Sequence, residues 1–291
     1  MAFNGLPEVF DDKVQNDELY VQKRIYAALK FLNLLPIEQN ETGLFTNYIH
    51  GDVEVGDPLY TNNGIAFNEI KFGKGQTVGG QTLPMGFMYR ANTRDKQRGK
   101  FESNLSSFYN SAVVKIADFF EEKYANSLIA GGRQSLAPLA SWDTAENIID
   151  NEVILEDEMR YNANGDATGF APTTVLCSRT AKLTIDKALR KEDYKSNFEY
   201  ISSNKITGDT KVLFDPLNPG ATIEKYADPE YSIIQALADN GIDKTEDGTP
   251  IPKAFLNLSE DKTGRPQTVD YYIWAESNVN MQNSNGFLIS Q

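Results

Sequence analysis

The chain has 291 residues, 40% of them apolar, with a single cysteine, a single histidine and a net charge of −13. That is enough apolar material for one large domain or two small ones, and 21 glycines with 12 prolines exclude collagen-like and low-complexity classes. The acidic balance argues against wholesale nucleic-acid binding, Cys177 has no partner for a disulfide or a cysteine metal site, and no signal peptide or run of about 18 apolar residues is present.

Met1 to Gln15 is polar and acidic and reads as an extended arm. Asn16 or Asp17 is placed to cap a helix from Glu18 to about Leu34, with Leu19, Ile25, Tyr26, Leu29 and Leu32 on its apolar side and Pro36 ending it. From Glu38 to Arg98 the pattern changes to strands. Gly43 to Ile49 is one, Ile65 to Phe72 a second and Leu83 to Arg90 a third, with turn signals at Asp57-Pro58 and Asn62-Asn63-Gly64. The glycine-rich stretch Gly73 to Thr82 reads as the tip of a long β-hairpin. Arg90, Arg94, Lys96, Arg98 and Lys100 form the basic cluster of the chain, readable as a solvated connector or as a patch that meets the acidic surface of another copy.

Lys100 to Ala130 contains no proline or glycine. Its large apolar residues (Phe101, Leu105, Phe108, Tyr109, Ala112, Val113, Ile116, Phe119, Phe120, Tyr124, Leu128) recur in steps of three and four, which predicts a single long helix. At 1.5 Å per residue it would run roughly 45 Å, a scaffold rod; no heptad with charged flanks supports a coiled coil. Gly131-Gly132 is expected to close it. Asp143 or Thr144 caps a further helix to about Tyr161, with Ala145, Ile148, Ile149, Val153, Leu155, Glu156 and Met159 on its inner face. After a loop at 162–166, Thr173 to Cys177 is a buried strand and Ser178 caps a helix from Arg179 to about Arg190. Strands are expected at Lys211 to Phe214, Ala221 to Tyr226, Ala254 to Leu258, Val269 to Trp274 and Phe287 to Ser290. A short element is expected at Ser232 to Ala238 and a polar loop at Asn240 to Pro252.

Candidate chemistry is sparse. His50 has no second histidine to share a metal, and no G-x-S-x-G elbow offers it a serine. Cys177, inside an apolar strand, reads as a small core residue. In Gly73 to Gly80 the lysine is followed by glycine rather than Ser or Thr, and no helix follows, so the phosphate-loop reading fails. Asn162, Asn164 and Asp166 lack the closing glutamate of a calcium loop. The expectation is no catalytic residue, no cofactor and no metal.

The order of elements, with Ala171-Pro172-Thr173-Thr174-Val175-Leu176-Cys177-Ser178-Arg179-Thr180-Ala181-Lys182-Leu183 and the preceding helix start Asp143 to Asp150, resembles the tailed-virus major capsid proteins of the HK-ninety-seven-type fold. The resemblance implies an α+β fold in five parts: an N-terminal arm with helix (1–37), an extended β-hairpin loop (38–99), a peripheral domain with its spine helix (100–138), an axial domain (139–259) and C-terminal strands returning to the peripheral domain (260–291). It implies a virion shell subunit that assembles with itself into hexamers and pentamers around double-stranded DNA. Portal, scaffolding and decoration proteins would be partners, and no membrane would be involved. Some members of that family link a loop lysine to a neighbour's asparagine; Lys71 and Lys74 are so placed, and Asn278, Asn280, Asn283 and Asn285 lie near the end, with nothing to specify a pair. The intersubunit candidates are therefore Lys71, Lys74, Arg90, Arg94, Lys96 and Arg98. Rival readings are an encapsulin-like nanocompartment shell and, from another class, an α+β hydrolase or sugar-binding protein.

Overall fold

The computed structural model describes residues 12–49, 53–55, 59–61, 64–66, 70–72, 76–92, 98–161, 165, 167–245, 248–261 and 268–290. The first helix, α1, is Asp12–Ala28, so the last residues assigned to an extended arm are already helical. The helix does not continue to Leu34. Leu29 is extended (φ −98°, ψ 95°), and a 3-10 turn follows at Lys30–Asn33. The break lets Leu29, Phe31, Leu32 and Leu35 all turn inward, a set too wide for one helical stripe.

Strand β1, Ile37–Gln39, leads into six short strands: β2 (Leu44–Ile49), β3 (Val53–Val55), β4 (Leu59–Thr61), β5 (Gly64–Ala66), β6 (Ile70–Phe72) and β7 (Gln76–Gln81). They nest as ladders, β2 with β7, β3 with β6 and β4 with β5. The hairpin expected from sequence is present but its parts fall differently. The expected strand Ile65 to Phe72 is split between two ladders, and most of the expected glycine-rich tip is strand β7. Ladder bonds are made by the backbone, which glycine supplies as well as any residue, so Gly79 and Gly80 do not stop β7 from pairing. Asn62-Asn63, where a turn is expected between β4 and β5, lie outside the described residues. Strand β8, Leu83–Asn92, is not the return arm; it belongs to another sheet.

By its contacts the chain divides into two units, Met1–Phe45, Gln81–Lys123 and Ile223–Asn278 in one, Thr46–Gly80, Tyr124–Thr222 and Val279–Gln291 in the other. The sheet of the first unit is organised on β15, Thr268–Met281, which pairs antiparallel with β8 and with β14, Asn257–Asp261. Strand β13, Ala221–Tyr226, lies between β15 and β1 and runs parallel to β1. Helix α2, Phe101–Gly131, matches the expected rod within a residue at each end. Its predicted apolar face is the buried one: Leu105, Ala112, Val113, Ile116 and Phe120 are all inside. In the first unit Phe120 meets Phe255 edge-on at 5.6 Å and Phe108 stacks on Tyr89 at 5.5 Å. The C-terminal strand expected at Ala254 to Leu258 starts three residues later. Gln22 Oε1 accepts from the backbone N–H groups of Phe255 (3.0 Å) and Leu256 (3.2 Å), so these buried amides are satisfied without a ladder.

The second unit holds a five-stranded sheet in the order β11-β10-β12-β16-β9. Its strands are β9 (Arg133–Gln134), β10 (Thr174–Ser178), β11 (Glu199–Ser203), β12 (Lys211–Phe214) and β16 (Phe287–Ser290); β11 was not expected. Val175, Leu213, Leu288 and Tyr200 face one side and form a core with Ile148, Leu155 and Met159 of α3 (Ala145–Arg160) and Ile185, Ala188 and Leu189 of α4 (Arg179–Lys191). Both caps are those predicted: Thr144 Oγ1 accepts from Asn147 N (3.3 Å), and Ser178 Oγ accepts from Ala181 N (3.2 Å). Val153, expected on the inner face of α3, is 61% exposed. Gly131 and Gly132 end α2 for a reason other than a left-handed turn. A Cβ on Gly131 would stand 3.0 Å from Met281 Cγ, and one on Gly132 would stand 2.8 Å from Ile289 Cδ1.

Candidate functional site

The basic cluster is the first place to look for a recognition surface. Arg90 on β8 stands opposite Asp270 on β15, and its Nε and Nη2 donate to the two carboxylate oxygens at 2.7 Å each. This bidentate pair answers the charge of Arg90 inside its own sheet. Arg98 and Lys100 are exposed just before α2. Lys71 lies on β6 in register with Glu54 of β3. Lys74, Arg94 and Lys96 lie outside the described residues. Of the asparagines near the end, Asn278 donates to the Gln81 carbonyl (2.8 Å) and Asn283 Oδ1 accepts from Asn285 N (3.0 Å), so both hold their own chain together.

The foot of the nested hairpin is fixed by a small polar clamp. Asn40 Oδ1 accepts from the N–H groups of Thr42 (3.0 Å) and Gly43 (2.9 Å). Gly43 turns with φ +68°, a conformation costly for residues with a Cβ. Its carbonyl accepts from Thr82 N at 2.9 Å, and the Thr82 hydroxyl donates to the Glu276 carboxylate.

Several buried ionisable groups are held by hydrogen bonds, whereas the Tyr26 hydroxyl is buried without a hydrogen-bond partner and burial pushes its pKa up. Glu152 accepts from Ser196 Oγ (2.5 Å) and Tyr200 Oη (2.7 Å), and burial, with the neighbouring carboxylate, pushes the Tyr200 phenol up. Burial pushes the Cys177 thiol up to about 11, which leaves no thiolate at neutral pH and agrees with its reading as a core residue. A cavity of about 830 Å³ opens in the second unit between the 139–143 loop, the start of α4 and the 203–209 segment. Lys211 lines it, and burial lowers its pKa; its ammonium donates to the Asp209 carbonyl (2.7 Å) and lies 4.5 Å from the centre of the Trp142 ring. Ser178 Oγ, also on the wall, is occupied as a cap and donates to Gly208 O at 3.0 Å. Nothing here aligns a nucleophile with a base. Among the described residues no three His, Cys, Asp or Glu side chains are grouped to hold a metal ion, and His50 lies outside them. Nor is any described helix long and apolar enough to cross a membrane.

The arrangement is one of surfaces and supports. The spacing places Ile148, Leu155 and Met159 correctly on the inner face of α3 but puts Val153 there too, and the charged outer sides of α3 and α4 lie where the buried apolar residues do not.

No protein-family model matches the chain, and no curated protein matches it in sequence. Solved structures match its fold along almost its whole length. The virus-like particle of Pyrococcus furiosus does so with a TM-score of 0.61 at 11% identity, over 97% of this chain and 100% of that one. The capsid of a native GTA particle gives 0.54 at 10% identity, over 100% and 93%. The encapsulin of the holo-SrpI complex of Synechococcus elongatus PCC 7942 gives 0.50 at 8% identity, over 99% and 92%. Identities this low carry the fold and leave the task to be argued. The chain has the α+β capsid fold of the HK-ninety-seven type that its order of elements resembles.

Proposed function

We propose that this chain is a shell subunit, the major capsid protein of a tailed virus, assembling with itself into hexamers and pentamers that form an icosahedral head around double-stranded DNA. The observation that carries the reading is the two-way coverage with the Pyrococcus furiosus virus-like particle, in which essentially all of each chain takes part. A nested hairpin of paired short strands supports it, because two-stranded ladders have too little to bury by themselves and are stabilised by lying on a neighbour. The net charge of −13 fits a container that holds DNA without gripping its sequence. In this reading residues 38–99 are the extended loop, 100–138 the peripheral part with its spine helix and 139–259 the axial part. Portal and scaffolding proteins are its partners, and the virion is its place. The solved neighbours are shells rather than enzymes, which favours a structural role over a hydrolase or sugar-binding protein.

The likeness to an encapsulin keeps a second reading, a cellular nanocompartment shell. Negative-stain microscopy of the chain expressed alone, after size-exclusion chromatography, tests the shell. Closed particles or rings of five and six are expected, and a discrete small oligomer with a ligand-filled cleft would sink it. Particles from the native source that carry double-stranded DNA would select the virus; particles filled with protein would select the nanocompartment.

A further inference from the structure

Two neighbouring helices of the second unit carry opposite charges on their outer sides. On α3, Glu146, Asp150, Val153 and Asp157 follow in steps of four, three and four, and all are exposed. On α4, Arg179, Leu183, Lys187 and Arg190 follow in steps of four, four and three, and all are exposed. Each stripe extends over twelve positions, eleven steps, or about 16 Å of helix. Each has one apolar side chain among its charges, Val153 and Leu183, both 61% exposed. The recorded ion pairs of these helices, Arg160 with Glu156 and Lys182 with Asp186, use other residues. Among the described residues, none of the six stripe charges has an ionic partner. Asp186, paired with Lys182, borders the three cations of α4, and Arg160, paired with Glu156, borders the three carboxylates of α3. In a chain with 41 acidic and 28 basic residues, a helix side whose cations outnumber its anions runs against composition. Glu192 and Asp193 come only after the helix ends.

We infer that the basic stripe of α4 on one copy of this chain docks against the acidic stripe of α3 on the next, with Leu183 and Val153 at the centre and the charges around them. Equal length, opposite sign and a shared apolar centre with a charged rim make the two sides complementary. A nucleic-acid backbone would answer the cations but gives the exposed leucine nothing and leaves the acidic stripe bare, so a second copy is the better occupant. The contact runs head to tail, with α4 of each copy on α3 of the next, so it is heterologous, and repeated contacts of that kind close into rings where the rotation between copies permits. This rests on the shell reading and assigns it a specific contact.

Charge reversal tests it, read by sedimentation velocity at low salt. Lys187→Glu with Arg190→Glu makes both stripes acidic; Asp150→Lys with Asp157→Lys makes both basic. Each pair alone should lower the assembled fraction at least tenfold at equal concentration. The four changes together restore opposite signs and should restore assembly. Mixing the two one-sided variants should restore it as well, but only in rings of even number, since the two types must alternate. Thermal melts of each variant confirm that it is folded. If the one-sided variants assemble like the wild type, or the four-change variant fails while folded, the pairing is wrong and the shell reading stands. If Lys187→Glu with Arg190→Glu only lowers co-purifying nucleic acid, with assembly unchanged, the stripe serves nucleic acid and the inference falls. A wild-type chain that never exceeds a monomer, even with its native partners, overturns both.

Discussion

Lys225 on β13 is only 3% exposed, and its ammonium donates to Gln235 Oε1 at 2.8 Å. Burial first, and the nearby Lys253 second, push its pKa down from 10.5 to about 7. The unfolded chain therefore holds a proton there that the folded chain releases at lower pH. The contribution of this group to stability is fully present above about pH 10.5 and is lost as pH falls through about 7. Lys225→Met should flatten the rise in melting temperature from about pH 7 to about pH 9, which melts of both proteins at the two values would reveal. Gly86 on β8 stands opposite Trp274, and a Cβ there would lie 2.6 Å from Trp274 Cβ and 3.0 Å from the Ile273 carbonyl. Gly86→Ala should cost about 1–3 kcal/mol. Gly79→Ala, in open space, should be neutral or stabilise by up to about 1 kcal/mol. Urea unfolding of the two variants checks the opposite signs. Neither effect is visible in the sequence. Alternation along Ala221 to Tyr226 puts Lys225 on the face of Ala221 and Ile223, where a lysine breaks the pattern, and only the packing shows that it is inside and that Thr222 and Glu224 on the other face are buried as well.

At the scale of elements, α2 and α1 make different demands. Phe120, fully buried against Phe255, should cost about 3–5 kcal/mol as Phe120→Ala, a value measurable by denaturant unfolding. Helix α1 is held to the short helix α5, Ile233–Asp239, by a buried carboxylate. Glu18 accepts from Ser232 Oγ (2.6 Å), Ile233 N (2.8 Å) and Ile234 N (3.3 Å). Glu18→Ala orphans those buried donors, at about 1–3 kcal/mol, and should speed hydrogen exchange at the amides of Ile233 and Ile234. Long periodic elements with caps were legible: α2 within a residue, Thr144 and Ser178 as N-caps, β12 and β13 to the residue. What failed were elements decided by distant partners. Gln22 replaces a ladder at Phe255 and Leu256, and β2 recruits the glycine-rich β7 from more than twenty residues away. The partner of Arg90 is a distant one too, since Asp270 meets it from another strand.

For the whole molecule, the order of elements was legible because it follows local signals in turn, whereas the division into two units, each made of three separate stretches, was not. The nested ladders are the part that a lone subunit has least use for. Replacing residues 53–72 with a short glycine-serine turn should leave the melting temperature within a few degrees and remove closed particles from electron micrographs; retained particles would show that the ladders are dispensable to the shell. In the proposed contact the stripes of α3 and α4 also give each subunit a direction. Any row of copies short of closure has one bare acidic end and one bare basic end, and closure removes both at once. Two copies that meet the wrong way round place like charges together and separate before anything is built on the error. Orientation is thus corrected at every addition, and the finished ring presents no unmatched end on which a further copy could start.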